Sequence, residues 1–580
     1  MAVRRPAVIC VLVLFALFPA RASGQGALAP DPHSAVFAES QFPSAAKCAG
    51  CHQTIYDEWS SSSHAYASIS PVFHKFEQKI NDLSSGTIGY FCMRCHASVG
   101  TTLGERRDTP LTKRSAVSRE GITCVTCHRV NEAYGRVNGE RRMEAGNVHQ
   151  PVYGSTAASG LGEILSNPSR FPVKTAPGQT GPGQEVHTTA VKFDQLSQSG
   201  FCVSCHQVAV HPGIKLEVVW DQYRASPAKR QGVSCQDCHM GKSPGRADGY
   251  ATGPAAVVAG VPINPTRKRT NHAFYGPGYP SAHPGIFPHN PAAQRWNIDQ
   301  WLKFDYRAGW GTDAFENRLT AAQARTGFPD EWKEPDDRFD ARAIIAANLA
   351  KLEKKRALRK EVMENGSHID GPFFKGDPQA NRTLAFSYKV SNTNPGHNMP
   401  SGSLGAQPEL WLNVALIDPT GKRVWESGYV DSHGDMADEH SLDVRAGKVP
   451  YDKQLFNLQT KFLTTNVKGT DREMYLPINL DVDQLPFIRP AGQPTTVLTH
   501  PPGVRMEGRS LPPLSSRDAR YTVPGNLITR PGTYKLAVRL RSRAEPIYFM
   551  KFIGATQEME RAMNEWMVDI HAYTVEFTVR

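Results

Sequence analysis

The chain has 580 residues, 40% of them hydrophobic and 21% charged, so it can form several folded domains and is neither disordered nor collagen-like. Its formal charge of +11 would by itself favour nucleic acid or an anionic membrane as a partner. The pattern of its cysteines, taken up below, excludes that interpretation.

The first 22 residues have the composition of a secretory signal. Arg4 and Arg5 precede an apolar run from Val8 to Phe18, and the small residues Ala20 and Ala22 suit the cleavage positions. The run is too short to span a membrane, and no later stretch has about 18 consecutive apolar residues. We therefore expect an exported protein, periplasmic or extracellular, without a transmembrane segment once residues 1–22 are removed.

Ten of the 11 cysteines form five pairs, and a histidine follows each pair directly. Cys-x-x-Cys-His is the attachment sequence of c-type haem. A zinc site of four cysteines needs an even number of pairs, and a disulfide framework gives no reason for the histidines. The sequence thus predicts five covalent haem c groups with their iron, bound by Cys48, Cys51, Cys92, Cys95, Cys124, Cys127, Cys202, Cys205, Cys235 and Cys238. The proximal iron ligands are predicted to be His52, His96, His128, His206 and His239.

Five haems also change the charge balance. Removal of residues 1–22 takes away three arginines and lowers the formal charge to about +8. Ten haem propionates then bring it to about −2. The basic residues mostly neutralise cofactor, so nucleic acid is not expected as a partner.

The motifs are closely spaced. They lie within residues 48–239, which is about 38 residues per haem, whereas a domain takes about 50 to 200 residues to enclose one core. The haems themselves must therefore form the core, packed against one another. The glycine- and proline-rich stretch 241–288 after the last motif is expected to be irregular coil.

The pattern changes after the motifs. A helix is expected from Asp340 to about Glu364, with Ile345, Leu349, Leu352 and Val362 on one stripe. From about residue 375, apolar and polar residues alternate in segments separated by turns, as at 384–390, 410–416, 534–540 and 573–579. A helical insert is expected at 556–570, with its methionines packed in a core.

These patterns predict a mixed fold with two main domains. The expected parts are a mostly α-helical or irregular pentahaem cytochrome c domain (35–300), a helical connector (301–374) and a β-sandwich-like domain with the helical insert (375–580).

Fifteen histidines remain to occupy the sixth position of five irons. His64, His187, His272 and His397 are the predicted distal ligands, the last in a loop made rigid by prolines and glycines. His283 is predicted as the fifth. His149, His74, His211 and Met399 are the open alternatives, and an iron without a sixth protein ligand would be a substrate site.

The segment Lys47-Cys-Ala-Gly-Cys-His-Gln-Thr-Ile-Tyr-Asp-Glu-Trp-Ser-Ser-Ser-Ser-His-Ala65 resembles the opening of multihaem cytochromes of the cytochrome c-554 (c-552/4) type. Gly232-Val-Ser-Cys-Gln-Asp-Cys-His-Met-Gly241 is similar to a later attachment segment of that group, and the resemblance covers about residues 45–275. It implies electron transfer, and it implies that His64 is a distal ligand. Gly396-His-Asn-Met-Pro-Ser-Gly402 resembles a loop in the β-domains of larger bacterial relatives.

Electron transfer to and from redox partner proteins is therefore the leading hypothesis, with no catalytic residues assigned. One alternative is an oxidoreductase that acts on a small nitrogen or sulfur compound at an open iron, as in distant relatives of the family. The chain departs from those enzymes because it has no Cys-x-x-Cys-Lys site. Another is a structural or filament-forming subunit, and the sequence leaves the oligomeric state open.

Overall fold

The structure is a computed structural model. It describes residues 42–580 except 84–85, 87–88, 134–137, 139–140, 157–158, 211–213, 280, 287–289, 402–406, 465–473 and 476–503. The predicted secretory signal and His211 lie outside the described residues.

Most helices lie in the first two thirds of the chain, and most of them are short because each is built around a motif or a turn. The α-helices are Ala45–Ser60, Pro71–Leu83, Met93–His96, Ser98–Thr102, Cys124–His128, Ser159–Ser166, Val203–His206, Val219–Arg224, Pro227–Arg230, Cys235–His239, Ile298–Trp301, Asp313–Glu316, Ala321–Thr326, Pro335–Asn365, Leu442–Arg445, Ile547–Phe552 and Gln557–Glu565. Short 3₁₀ helices are Leu111–Lys113, Ser118–Glu120, Asp194–Ser197, Ser199–Phe201, Pro284–Ile286, Pro291–Arg295, Asp330–Trp332 and Gly525–Leu527.

Strands before residue 300 are short and pair two by two. They are Val152–Gly154 with Ala190–Lys192, Val173–Lys174 with Gln184–Glu185, Val208–Val210 with Ile214–Glu217, Ala251–Gly253 with Arg267–Arg269, and Ala256–Val258 with Val261–Ile263. The last two pairs correct the expectation of irregular coil over 241–288, since local antiparallel pairing satisfies the backbone between its glycine turns.

Pro335–Asn365, here called the long helix, extends the predicted helix by one turn at its start. Its buried residues recur every three or four positions, but several of them are polar: Arg338, Ala341, Ile345, Asn348, Leu352, Lys355 and Arg359. Leu349, predicted on the buried stripe, is 37% exposed. That prediction was wrong because it selected positions by apolar character, whereas the buried face includes charged residues.

The C-terminal region is rich in sheet. A three-stranded antiparallel sheet has the order Ser367–Phe374, Leu384–Asn392, Ser516–Val523, and a four-stranded one the order Arg423–Ser427, Glu409–Ile417, Gly532–Arg543, Val568–Val579. A smaller sheet joins Met474–Tyr475, Lys461–Thr464 and Val504–Glu507. Alternate side chains of the two larger sheets share one buried core, which includes Phe386, Tyr388, Leu412 and Leu536. The predicted mixture of helix and sheet is confirmed.

The predicted helical insert is shorter than expected. Thr556 caps the helix Gln557–Glu565, and Ile570 lies in the strand Val568–Val579 instead. Met563 is buried among the residues of the preceding helix Ile547–Phe552, as the predicted core packing requires.

A separate aromatic core lies between the motif region and the sheets. It contains Trp296, Trp301, Phe304 and Trp332, packed against Ile345 of the long helix. Among the helices of the described residues, none is both long enough and apolar enough to cross a membrane.

Candidate haem sites

Four of the five Cys-x-x-Cys-His motifs end at the last residue of a short helix, and the first lies within the helix Ala45–Ser60. Two of these helices, Cys124–His128 and Cys235–His239, begin at the first cysteine of the motif, and Ser234 and Asp237 form a capping box on the second. None of the ten motif cysteines, all of which are described, forms a disulfide. The thiols are thus available for addition to a haem.

Four of the five motif histidines share one hydrogen-bonding pattern. In each of them, Nδ1 lies next to a backbone carbonyl oxygen. The distance is 2.9 Å from His52 to Ala255 and 3.3 Å from His96 to Ala67. It is 2.6 Å from His128 to Tyr153 and 2.5 Å from His239 to Tyr275. A proton on Nδ1 leaves the lone pair on Nε2, and metal-binding histidines are commonly oriented in this way.

Three motif histidines face a second histidine from a distant part of the chain. The ring centres are 6.2 Å apart for His206 and His64, 6.4 Å for His128 and His272, and 6.1 Å for His239 and His397. An imidazole nitrogen lies about 1.1 Å from its ring centre and about 2.0 Å from a bound metal ion, so two imidazoles on one metal ion have centres about 6.2 Å apart. The separations fit one iron between each pair.

His64 is held in place from the segment before the third motif. The backbone N–H of Ile122 donates to the His64 carbonyl oxygen at 2.9 Å, and Gly121 has φ +66°. A Cβ on Gly121 would lie 2.4 Å from that same oxygen, so this close approach requires glycine.

His272 and His397 are likewise anchored. Glu58, on the helix of the first motif, accepts the backbone N–H of His272 at 3.0 Å, while His272 Nδ1 lies 3.1 Å from Thr270 O. His397 Nδ1 lies 2.9 Å from Asn398 O, and Asn392 donates to the His397 carbonyl at 3.1 Å. These Nδ1 contacts again leave Nε2 as the donor atom for a metal.

His187 lies near the first motif. Burial lowers its pKa to about 4, with the charge of His52 as the next cause. Its Nδ1 is buried and accepts no hydrogen bond from the described residues. A backbone hydrogen bond with Thr189 opposes the lowering of the His187 pKa, and the charge effect of His52 agrees with the distal role that the sequence predicts for His187.

His283 does not suit the role predicted for it. Its Nε2 lies 3.1 Å from Phe304 O, its Nδ1 accepts the backbone N–H of Gly285 at 3.0 Å, and its ring meets the edge of Tyr306. Because both ring nitrogens have protein partners, we do not retain His283 as a distal ligand. The sequence could not reveal that the His283 ring is occupied. One partner, Gly285, lies in the same folded loop, and the other, Phe304, lies about twenty residues away.

Two of the open alternatives are also partly occupied. His74 Nε2 lies 2.7 Å from Ser68 O. His149 has the ligand-like pattern, with Nδ1 3.1 Å from Val186 O, but its Nε2 lies 3.6 Å from Glu185 Oε1. The predicted ligand set left His149 among the alternatives. Its burial and its Nδ1 contact favour it as the fifth distal ligand.

The surroundings of His96 differ from those of the other motif histidines. Among the described residues, the ring in contact with His96 is that of Phe73, stacked at 4.0 Å with planes 8° apart. The charge of His74 also lowers the pKa of His96, after burial as the main cause. No second histidine ring is paired with His96 among the described residues, unlike His128, His206 and His239.

The motifs lie close to one another. Cys95 Sγ, in the second motif, lies 3.9 Å from Ser204 O of the fourth, and the Cys235 N–H, in the fifth, donates at 3.0 Å to Ser199 Oγ just before the fourth. Two thiols from different motifs are also near enough to shift each other's pKa in the pairs Cys48 and Cys124, Cys95 and Cys205, and Cys202 and Cys235. The fourth motif therefore lies beside the second and the fifth, and the first lies beside the third.

Burial keeps the facing imidazoles neutral. It lowers the pKa of His64 and of His272 to about 3, and that of His239 to about 4. Neutral imidazole is the form that binds a metal ion. The donor set therefore fits covalent haem. It consists of free thiols at motif spacing, neutral histidines in facing pairs, and Nδ1 contacts to carbonyl oxygens.

Comparison with known proteins agrees with this donor set. The family model described as cytochrome c554 and c-prime matches residues 47–129. A solved structure of a penta-heme cytochrome c552 from Thermochromatium tepidum is similar with a TM-score of 0.46 and 16% identity, over 93% of this chain and 99% of that chain. No curated protein matches the chain. The family match confirms the predicted resemblance of this chain to multihaem c-type cytochromes of the c-554 type over residues 47–129.

Proposed function

We propose that this chain is an exported electron carrier that binds five haem c groups covalently, one at each motif. The observation that carries the proposal is the set of three facing histidine pairs, whose ring centres are 6.1 to 6.4 Å apart, on motifs that lie close to one another. When bound, haem supplies one-electron redox chemistry. Contact between the motifs supports transfer along the chain of sites, to and from redox partner proteins.

The protein's own residues hold and tune these sites. The cysteine pairs attach the haems, and the five motif histidines provide the proximal ligands. His64, His272 and His397 provide the distal ligands opposite His206, His128 and His239, and His187 provides one towards His52. Carbonyl oxygens fix Nδ1 of several of these rings, which orients each ring and raises its basicity as a ligand.

The sheet-rich region would contribute one of these ligands. The loop with His397 meets the motif region, where Gln222 Oε1 accepts the Asn398 N–H at 3.2 Å and the Ser401 hydroxyl at 2.9 Å. We propose that residues 375–580 are a β-sandwich-like domain and that a bond from His397 to iron fastens it to the haem domain (35–300), with 301–374 as connector. The shared core of the two larger sheets and the separate aromatic core support this division.

Export is proposed from the sequence of residues 1–22, because covalent haem attachment retains the cofactor in compartments from which free haem is lost. Protein produced in a host that attaches c-type haem should be recovered from the periplasm or medium without residues 1–22. Intact mass should show five haems on ten cysteines. Four haems, or a free thiol in the mature protein, would contradict the proposal.

A second candidate function rests on His96. Because no second histidine ring faces His96 among the described residues, the haem at the second motif would have an open iron at which a small nitrogen or sulfur compound could react. Carbon monoxide added to the reduced protein separates the two functions. Binding of one full equivalent supports an oxidoreductase, whereas no binding supports an electron carrier with all positions filled.

A further inference from the structure

The long helix buries four polar side chains on the face that turns towards the motif region and the connector. For three of them the partners are clear. Arg338 binds Glu316 and two backbone carbonyls, Asn348 donates to Pro284 O, and Arg359 donates to the carbonyl oxygens of Pro277, Trp566 and Ser542. Each of these groups recovers on folding the hydrogen bonds that it loses from water.

Lys355 is the exception. It is 2% exposed, and its side chain takes part in none of the ion pairs between the residues that the structure describes. Burial, with the positive charge of Arg359 as a second cause, lowers its pKa to about 8. A buried ammonium without an anion is strongly unfavourable. We therefore expect a negatively charged partner beside Lys355.

The position of Lys355 points to the fourth motif. Leu352, one turn earlier on the same face, packs with Tyr56, Trp59 and Tyr66, which flank the segment that leads to His64. Besides the neutral imidazoles of His206 and His239, the groups that act on the pKa of His64 are the cations Arg141 and Lys355. This side of the His64–His206 pair is therefore electropositive.

We infer that Lys355 binds a carboxylate, and that this carboxylate is a propionate of the haem attached at Cys202 and Cys205. The inference rests on the proposed function, because that haem is the one between His206 and His64. Each haem carries two propionates, and close packing of five haems holds some of them away from water. A compact ammonium on a flexible stem suits such a carboxylate, and the pair neutralises two charges that would each be costly to bury alone.

The test is a redox titration of the holoprotein followed by its absorbance. Lys355→Met removes the positive charge with a side chain of similar length, and Lys355→Arg keeps the charge. Lys354→Met is the matched control, because it removes a charge from the exposed side of the same helix. A cation beside a haem stabilises its reduced form. In Lys355→Met, one transition should move to lower potential by about a tenfold change in equilibrium constant, which is 59 mV for one electron.

Lys355→Arg should restore the wild-type curve, and Lys354→Met should leave it unchanged. Titrating the wild type with added sodium phosphate distinguishes a bound solution anion from a propionate. If phosphate shifts the wild-type potential but not that of Lys355→Met, the anion comes from solution and the propionate assignment is wrong. An unshifted curve in a folded, five-haem Lys355→Met protein would also overturn it.

If Lys355→Met does not yield folded holoprotein, the infrared redox-difference spectrum of Lys355→Arg decides the matter. A guanidinium–carboxylate pair should displace the propionate carboxylate bands from their wild-type positions, and unchanged bands would contradict the inference. A wild type with fewer than five haems would instead contradict the proposed function.

Discussion

The imidazoles of His239 and His397 lie 158 residues apart in the chain, yet their planes are 11° from parallel and their centres 6.1 Å apart. His239 belongs to the fifth motif, and His397 to a loop that follows the central strand of the three-stranded sheet. The two large regions of the protein therefore each contribute one ring to a pair whose geometry suits a shared metal ion.

His397→Ala tests that relationship. The variant should keep five haems by intact mass but convert one low-spin iron to high spin, because the opposite ring remains while its partner is lost. Electron paramagnetic resonance of the oxidised protein measures the change, and limited proteolysis should show faster separation of the two regions. His368→Ala, which removes an exposed histidine of the neighbouring strand, is the control. An unchanged spin state in His397→Ala would remove His397 from the ligand set.

The three facing pairs should be distinguishable by their spectra. Their ring planes meet at 11° for His239 and His397, 30° for His128 and His272, and 47° for His64 and His206. The angle between axial imidazoles determines how the iron d orbitals split, so the low-spin signals should differ in anisotropy in that order. The single variants His397→Ala, His272→Ala and His64→Ala should each remove a different signal. Loss of one common signal from all three would show that the pairing is different.

The fourth motif should connect the others. Cys95 Sγ, in the second motif, lies 3.9 Å from Ser204 O of the fourth, and the Cys235 N–H, in the fifth, donates at 3.0 Å to Ser199 Oγ just before the fourth. Replacing Cys202 and Cys205 by alanine should therefore slow electron equilibration among the remaining four haems after rapid partial reduction, followed by absorbance. Replacing Cys92 and Cys95, at the second motif, should affect it much less. Equal rates in the two four-haem proteins would contradict a connecting role for the fourth motif.

A buried ion pair should stabilise the sheet-rich region. Lys461 is 1% exposed, with Nζ 3.0 Å from Asp438 Oδ2 and 2.9 Å from His440 Nδ1. Lys461→Met leaves the Asp438 carboxylate buried without its cation, which should lower the free energy of unfolding by about 3–5 kcal/mol. Urea unfolding followed by circular dichroism measures it. Lys448→Met, which removes an exposed ammonium from Asp443 while Ser432 still donates to that carboxylate, should cost about 0–1 kcal/mol as the control.

The double variant Lys461→Met with Asp438→Leu checks the cause of that loss. It removes both charges, so it should be more stable than Lys461→Met alone. If the double variant is less stable than the single one, the cost comes from lost packing and not from the unpaired carboxylate.

Asp435 should make stability depend on pH. It is 1% exposed, and burial raises its pKa to about 7. Between the ordinary value of 3.8 and about 7, the folded protein holds a proton that the unfolded chain releases, so stability should fall as pH rises through this range. The slope contributed by one such group is at most about 1.4 kcal/mol per pH unit.

Asp435→Asn should flatten this dependence in urea unfolding at several pH values. The amide oxygen can still accept the Tyr548 N–H that Asp435 Oδ1 accepts at 2.9 Å, so the fold should be kept. Asp377→Asn, at an exposed position, should leave the slope as in the wild type. A slope unaffected by Asp435→Asn would mean that the carboxylate is ionised in the folded state.

Several features followed from the sequence because they depend on residues close together in the chain. The five attachment motifs are contiguous, so their spacing alone predicts covalent haem. Local periodicity predicted the strand Leu384–Asn392, because every second side chain of a strand lies on the same face. It also predicted the helix Pro335–Asn365, because every third or fourth side chain of a helix lies on the same face.

Only the tertiary structure decided which histidines meet. His64 faces His206 and His272 faces His128 across more than 140 residues, and loops that carry no periodic signal determine those distances. The same holds for His283, whose ring nitrogens are satisfied by groups that folding brings to them, and for Lys355, which apolar patterning places on no buried face. A side chain's chemistry is a local property, whereas its burial and partners are created by long-range packing, so the ligand types could be predicted and their pairing could not.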